Sequence, residues 1–215
     1  MTTDLVVSLY DRSGIMVRPW AEAGYECICV DIAHRPIRKA RREIIGQGSI
    51  TFQWGDARVW YPPRSPCILF AFPPCTHVSG SGARDYKLKG TGLLRDSLEM
   101  WAAAYHAGKW SGVPFMIENP VGKFSDHMGR PDFYFHPWQY GDPWFKKTCL
   151  WTGNGFAIPA PLHAEPPEGT TEKIWLMSPG DDRDVERSET PPGFAREVFK
   201  ANYGMIRSVE LEAAA

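Results

Sequence analysis

A cysteine that follows two prolines is the most specific chemical feature of this sequence. The segment Phe72-Pro73-Pro74-Cys75-Thr76-His77 comes directly after a nearly continuous apolar run. Because the two prolines fix the backbone, the Cys75 thiol is expected to be held rigidly beyond a buried strand, where a nucleophile gains from preorganisation. A structural cysteine in a proline-rich turn is the alternative that the motif alone leaves open.

A carboxylate ends the next predicted strand, in the segment Glu118-Asn119-Pro120. Parallel strands bring their carboxyl ends to one edge of a sheet, so the Glu118 carboxylate could lie beside the Cys75 sulfur. Taken alone, Glu118 fits a capping or surface carboxylate equally well. A thiol and a carboxylate on adjacent strand ends together favour nucleophilic catalysis.

Polar residues also end the other predicted strands, and these are Tyr10-Asp11, Asp31 and Asp56. An acidic residue at the end of the second strand often holds the hydroxyls of a ribose in this class of fold, and Asp31 fits that position. Asp31 as an ordinary polar strand end is equally compatible with the pattern. Since only Gly14 stands in the first turn, the glycine-rich fingerprint of dinucleotide binding is missing and a pyrophosphate-bearing cofactor is disfavoured.

The spacing of apolar residues predicts the elements that position these strand ends. Over the first 120 residues, apolar runs alternate with helical stretches, which indicates a parallel sheet with helices on its faces. The predicted strands cover 5–10, 27–31, 49–53, 67–72 and 115–117. The predicted helices cover 17–23, 37–45, 93–110 and 193–203. Beyond residue 120, proline, glycine and aromatic residues become dense, so we expect short strands and ordered loops.

The overall charge excludes a strongly basic, nucleic-acid-coating protein. Lysine and arginine number 24 against 25 acidic residues, so any contact with nucleic acid must come from a local patch. One basic stretch offers such a patch, and it consists of His34, Arg35, Arg38, Lys39, Arg41 and Arg42. It is compatible with a phosphate contact or with the solvated face of a helix.

Composition and cysteine usage set further limits. With 43% hydrophobic and 23% charged residues, the chain is typical of a globular protein rather than a disordered one. Five scattered cysteines argue against a disulfide framework, and no second pair completes a zinc site with Cys27 and Cys29, so we expect no metal. No apolar run approaches the roughly 20 residues of a membrane helix, and Met1 to Asp4 lack a basic signal-peptide start. We therefore expect a cytoplasmic protein without a membrane partner.

Taken in order, these residues resemble the cytosine-C5 methyltransferases, in the compact form found among phage and prophage sequences. The segment from Leu9 to Gly24 is similar to the motif whose loop holds S-adenosylmethionine, with Tyr10 in place of a phenylalanine and Gly14 retained. Pro74-Cys75 and Glu118-Asn119 resemble the two catalytic motifs. Two later segments, 139–148 and 187–195, resemble blocks of the compact branch.

The resemblance implies a role for each matched residue. Cys75 and Glu118 are expected to be catalytic. The expected cofactor-binding residues are Tyr10, Asp11, Gly14, Asp31, Asp56, Pro73 and Gly193, with Asp31 near the ribose and Asp56 near the adenine. The expected substrate-binding residues are Pro74, Thr76, His77, Asn119 and either Lys146 or Lys147, which stand where the family has an arginine that touches the base.

The implied fold is a Rossmann-like S-adenosylmethionine-dependent methyltransferase domain, an α/β fold with a mostly parallel sheet and helices on both faces. We expect one domain over 1–210, with a cofactor and catalytic core over 1–120. A small irregular region on the substrate side covers 121–190, and a closing helix covers 191–205. Residues 211–215 are expected to be a tail or a cloning remnant.

The implied activity is transfer of a methyl group from S-adenosylmethionine to C5 of cytosine through a covalent Cys75 adduct. DNA is the favoured substrate, and a free cytosine (deoxy)nucleotide is the alternative. A catalytically inactive module that binds nucleotide or DNA with the same fold is a second alternative. The chain departs from the family pattern at Arg12, which replaces a glycine, and at Thr76, which replaces a glutamine. Only about forty residues separate Trp151 from Thr190, too few for the usual domain that reads DNA sequence in the major groove.

Overall fold

The centre of the protein is a mixed β-sheet with helices on its two faces. The structure is a computed structural model that describes residues 4–35, 40–80, 86–172 and 189–214. Within those ranges the sheet has eight strands, which are β1 (Leu5–Leu9), β2 (Glu26–Asp31), β3 (Arg41–Ile45), β4 (Gly48–Trp54), β5 (Ile68–Ala71), β6 (Phe115–Pro120), β7 (Phe133–Phe135) and β8 (Thr148–Gly153). Their spatial order is β3-β4-β2-β1-β5-β6-β8-β7.

The middle of the sheet is parallel and both of its edges are antiparallel. β1 pairs in parallel with β2 and with β5, and the pairs β2–β4 and β5–β6 are also parallel. β3 joins β4, and β8 joins both β6 and β7, in antiparallel fashion. All residues of β1 and β5 are buried, as expected for central strands covered on both faces. The predicted α/β fold with a mostly parallel sheet is confirmed at this level, although the sheet is not wholly parallel.

Four α-helices accompany the sheet in the described part of the chain, together with a short 3₁₀-helix at Pro137–Tyr140. The α-helices are α1 (Arg18–Glu22), α2 (Tyr86–Ser111), α3 (Phe124–Met128) and α4 (Pro192–Ala214). The helical geometry of α2 is interrupted at Gly90, where φ is 72° and ψ is 173°. α4 continues through Ala214, into the segment expected to be a tail. No described helix combines the length and the apolarity that crossing a lipid bilayer requires.

The two faces of the sheet hold separate apolar clusters. On one face, Trp20 of α1 and Phe194 and Val198 of α4 pack with Phe70 of β5. On the other face, Trp101 of α2 and Phe124 of α3 pack against Phe115 and Ile117 of β6. Burial of this apolar surface on both faces fixes the helices to the sheet and leaves the strand ends as the open side of the molecule.

The helix predicted over 37–45 is wrong, because Arg41–Ile45 forms the edge strand β3. A two-residue turn at Gly46-Gln47 connects it to β4, with Ile45 opposite Gly48, and Gly46 has the positive φ of 57° that such hairpin turns need. The charged residues favoured an exposed helix, but charge is equally typical of an edge strand. The Arg41 guanidinium lies 3.9 Å from the centre of the Phe52 ring. Arg38 and Lys39 lie outside the described residues.

Candidate active site

A cleft of about 620 Å³, part of it open to solvent, lies at the carboxyl ends of the parallel strands. Its walls come from the loop after β1 (10–13), the segment after β5 (72–75) and the end of β6 (118–120). Lys146, which precedes β8, and the segment Glu189-Thr190, which precedes α4, complete the lining. The parallel pairing of β1, β5 and β6 therefore brings chemically distinct side chains to one place.

The segment that carries Cys75 is held by the backbone on both sides. Before it, the Phe72 amide donates to the Leu9 carbonyl at 3.0 Å and extends the β1–β5 pairing beyond the end of β5. After it, the amides of Val78 and Ser79 donate to the Cys75 carbonyl at 3.0 and 2.9 Å and close a turn. Cys75 is half-buried and lines the cleft. Its position is thus fixed by hydrogen bonds as well as by the two prolines.

Asn119 connects the ends of β5 and β6. Its side-chain amide donates to the Pro73 carbonyl at 2.6 Å, and its own carbonyl Oδ1 is buried without a hydrogen-bond partner in the described structure. The amide donor thus holds the Pro73-Pro74 segment in place while the acceptor stays available. Pro73 and Pro74 both line the cleft.

Glu118 lies on the cleft wall beside a single cation. Its side chain is 9% exposed, and Oε1 lies 3.8 Å from the Lys146 ammonium, whose side chain is 10% exposed. At that separation the two form an ion pair without a hydrogen bond, and Oε1 has no hydrogen-bond partner in the described residues. Burial raises the pKa of Glu118, while the Lys146 charge lowers it, and the raising effect dominates. The Glu118 carboxyl therefore keeps its proton to a higher pH than an exposed glutamate does.

The sequence left open whether Lys146 or Lys147 contacts the base, and the two lysines occupy different places in the structure. Lys146 lines the cleft, whereas Lys147 is exposed and places its ammonium 5.3 Å from the centre of the Tyr134 ring. The two adjacent lysines therefore have different surroundings, one in the cleft and one over the Tyr134 ring. Lys147 is not among the cleft-lining residues.

Asp11 organises the loop after β1. Its carboxylate is 3% exposed and accepts hydrogen bonds from the Ser8 hydroxyl at 2.7 Å and from the amides of Ser13 and Gly14 at 3.0 and 2.7 Å. Gly14 has a φ of +71°, and a Cβ at that position would lie 3.0 Å from the Phe52 ring. Asp11 and Gly14 therefore determine the conformation of the loop. Asp11 also lines the cleft.

Asp31 and Asp56 flank Tyr10 and are not among the cleft-lining residues. Asp31 is buried and accepts from the Ala33 amide at 2.6 Å, and burial raises its pKa. Asp56 is bound by Arg58, whose guanidinium donates to both carboxylate oxygens, the shortest bond being 2.6 Å, and this pairing lowers the pKa of Asp56. Burial and then the Asp56 charge raise the pKa of Tyr10 above its ordinary range.

Three other predicted residues lie away from the cleft lining. Thr76 is exposed and His77 is half-buried. Gly193 is buried at the start of α4, where its amide donates to the Asp142 carboxylate at 2.8 Å. A Cβ on Gly193 would collide with the Tyr140 carbonyl oxygen, so the glycine permits α4 to dock on that segment.

Several residues that line the cleft were not among the site residues expected from the sequence. These are Arg12, Ser13, Phe72, Pro120, Glu189 and Thr190. A signal existed for the last two, because they belong to the segment 187–195 that resembles a block of the compact phage branch. Residues 187 and 188 of that segment lie outside the described ranges.

No protein-family model and no curated protein matches the chain. Among solved structures, a similar one is a "putative DNA modification methyltransferase encoded within prophage" from E. coli. It is 15% identical, with a TM-score of 0.47, and the match covers 81% of this chain and 55% of the other. This chain therefore spans about half the length of that protein.

Proposed function

We propose that this protein methylates C5 of cytosine in DNA, with S-adenosylmethionine as the methyl donor and Cys75 as the nucleophile. The observation that carries the proposal is the pairing of Cys75 with Glu118 in one cleft, at the ends of the adjacent parallel strands β5 and β6. A thiol and a carboxyl that tends to hold a proton are the two groups that activation of a cytosine ring needs.

The proposed reaction begins with Cys75. Its thiolate forms a bond to C6 of the ring while Glu118 gives a proton to N3, so the negative charge does not stay on the ring. When bound, S-adenosylmethionine supplies an electrophilic methyl group, to which C5 forms the new bond as the carbon–sulfur bond of the donor breaks. Loss of the C5 proton to solvent then expels the Cys75 thiolate, and the N3 proton returns to Glu118.

Asn119 and Lys146 support this chemistry from the cleft wall. The Asn119 bond to the Pro73 carbonyl fixes the segment that aims Cys75. Lys146 lies beside Glu118. Of the two lysines that could stand in for the family arginine, it is the one that lines the cleft. We propose that its ammonium binds the ring's carbonyl oxygen.

The donor set beside the cleft fits S-adenosylmethionine. Asp31 uses one carboxylate oxygen for the Ala33 amide, and its Oδ2 stays available to a ribose hydroxyl. The exposed Ile32 that follows it, 68% accessible, offers an apolar surface to an adenine ring. The buried Asp11 carboxylate shapes the loop between these groups and Cys75. We propose these residues, with Tyr10 and Gly14, as the cofactor side of the site.

A free cytosine nucleotide is the second candidate substrate. The formal net charge of −1 favours it, because duplex binding usually draws on many phosphate contacts. The short stretch between Trp151 and Thr190 favours it as well, because a groove-reading element has little room there.

Transfer of a tritiated methyl group tests the proposal. Duplex DNA, single-stranded DNA and cytosine mononucleotides are offered in parallel with labelled S-adenosylmethionine, and we expect label at C5 of cytosine in DNA. Label confined to mononucleotides would replace DNA by the second candidate. No transfer to any of them, together with no heat of S-adenosylmethionine binding in calorimetry, would leave an inactive binding module.

A further inference from the structure

Three backbone amides in the loop after β1 already donate hydrogen bonds within the protein and are not available to bind an anion. The amides of Ser13 and Gly14 both donate to Asp11 Oδ1, at 3.0 and 2.7 Å, and the Ile15 amide donates to the Ser13 hydroxyl at 3.3 Å. Successive backbone amides are a common cradle for anionic groups in such loops. Here the Ser13 and Gly14 amides are taken by the protein's own carboxylate, so an anionic ligand group needs another donor, which a side chain can supply.

Arg12 is the side chain of this loop that can bind an anion. It is exposed, lines the cleft and forms no ion pair or hydrogen bond with the residues that the structure describes. Its charge reaches Asp31 and helps to lower the pKa of that carboxyl, against the larger effect of burial. Arg12 therefore lies on the proposed cofactor side of the cleft.

Glu189 supplies the opposite charge from a different part of the chain. It is exposed, lines the same cleft just before α4 and takes part in no ion pair in the described ranges, with Arg12 or with any other residue. The remaining charged residues of the lining are already engaged, since Lys146 pairs with Glu118 and Asp11 is held by its hydrogen bonds. Among the described residues of the lining, Arg12 is thus the uncommitted cation and Glu189 the uncommitted anion.

We propose that Arg12 and Glu189 together bind the amino-acid end of the cofactor, Arg12 its α-carboxylate and Glu189 its α-ammonium. The inference rests on the proposed function and assigns two residues for which the sequence indicated no cofactor role. An uncommitted pair of opposite charges that do not touch each other is complementary to a zwitterion, and each contact with the ligand is a charge-assisted hydrogen bond. The adenosine end of the ligand needs neither residue.

Calorimetry with two ligands tests this assignment without measuring turnover. S-adenosylhomocysteine carries the amino-acid group, whereas 5′-methylthioadenosine keeps the adenosine and the thioether and lacks that group. We expect Arg12→Gln to raise the Kd for S-adenosylhomocysteine about tenfold and to leave the Kd for 5′-methylthioadenosine unchanged. Glu189→Gln is expected to show the same pattern. Arg95→Gln is the matched control, because Arg95 is 72% exposed and outside the cleft lining, and it should leave both Kd values unchanged.

The outcomes separate this inference from the proposed function. A wild-type protein that binds neither ligand overturns the proposed function, and the assignment falls with it. A wild-type protein that binds both ligands, with variants that lose affinity for both equally or for neither, overturns the assignment alone. An Arg12→Gln variant that loses affinity only for deoxycytidine monophosphate also overturns it, because the guanidinium would then bind the substrate's phosphate. Melting temperatures equal to that of the wild type show that each variant is folded.

Discussion

The two ends of the cleft differ in how their buried polar atoms are satisfied. At the β1 end, the Asp11 carboxylate accepts from the Ser8 hydroxyl and from two amides, and the loop is closed on itself. At the end formed by β5 and β6, Glu118 Oε1 and Asn119 Oδ1 are buried without hydrogen-bond partners in the described residues. Both ends belong to the same cleft and are built from neighbouring strands of one sheet.

This difference distinguishes scaffold from binding surface. Most buried polar atoms in folded proteins have a hydrogen-bond partner, so an exception calls for an explanation. Two exceptions on adjacent residues facing a cleft are explained if a polar ligand supplies the missing partners. Substitutions at the β5–β6 end should therefore impair chemistry more than stability. Substitutions of Asp11 and Gly14, whose contacts hold the β1 loop, should do the reverse.

The largest expected effect is that of Cys75→Ala, at the β5–β6 end. Loss of the thiol should reduce methyl transfer to the uncatalysed background, because no other described residue of the lining carries a thiol. Calorimetry should show unchanged affinity for S-adenosylhomocysteine. A 5-fluorocytosine substrate should form a covalent adduct with the wild type and none with the variant, as measured by mass spectrometry. Cys67→Ala is the control, because Cys67 lies just before the first residue of β5, at the end of the strand remote from Cys75, and does not line the cleft. An active Cys75→Ala protein would refute covalent catalysis.

Asp11→Ala should give the largest loss of stability at the β1 end. The substitution leaves the Ser8 hydroxyl and two amides without their acceptor in a buried place, at a cost of about 3 kcal/mol in the free energy of unfolding. Urea denaturation measures it. Asp126→Ala is the comparison, because its partner Lys123 and its own side chain are exposed, and a change within about 0.5 kcal/mol is expected. Equal losses in the two variants would show that the Asp11 bonds contribute little.

Gly14→Ala should cost less, about 2 kcal/mol, because it combines a positive φ with a close neighbour. Gly112→Ala separates the two causes: Gly112 has a φ of +70°, close to the +71° of Gly14, and a Cβ there meets no atom within 4 Å. Gly112→Ala is expected to cost only the backbone part, about 1 kcal/mol. The excess for Gly14→Ala, measured by denaturation, reports the contact with Phe52. No excess would mean that the ring moves aside freely.

Lys146→Met should lower the rate by removing the proposed contact with the ring's carbonyl oxygen, and it should also shift the pH dependence of the rate. Methyl transfer needs a protonated Glu118, so the rate falls as pH rises through the pKa of that carboxyl. Burial raises this pKa and the Lys146 charge lowers it, so removal of the charge should raise the pKa further and move the high-pH limb of the rate profile upward. Lys147→Met should leave the limb in place, because Lys147 lies over Tyr134 instead. A limb that moves to lower pH would contradict the role given to Glu118.

Much of the parallel core could be predicted from the sequence, because its strands are continuous apolar runs that end at prolines or polar residues. The clearest cases are β5, which ends shortly before Pro73, and β6, which ends at Pro120. The edge strand β3 was missed because its charges fit an exposed helix as well as an edge strand. Which of Lys146 and Lys147 lines the cleft could not be predicted either, because it depends on which side of their segment faces β6. Gly193 stays a predicted cofactor-binding residue, but its role in letting α4 dock beside Tyr140 could not be predicted, because it depends on tertiary contacts.

The Asp142 carboxylate accepts hydrogen bonds from the backbone amides of Gly193 and Phe194. Asp142 and Gly193 are 51 residues apart in sequence. The start of α4, and with it the wall at Thr190, is thus anchored by a side chain and not by the length of the connecting chain. Because the entropy of closing a loop grows only with the logarithm of its length, doubling that connection would cost about 0.6 kcal/mol. Evolution can therefore lengthen or replace the intervening chain to acquire new recognition elements while the catalytic wall keeps its place.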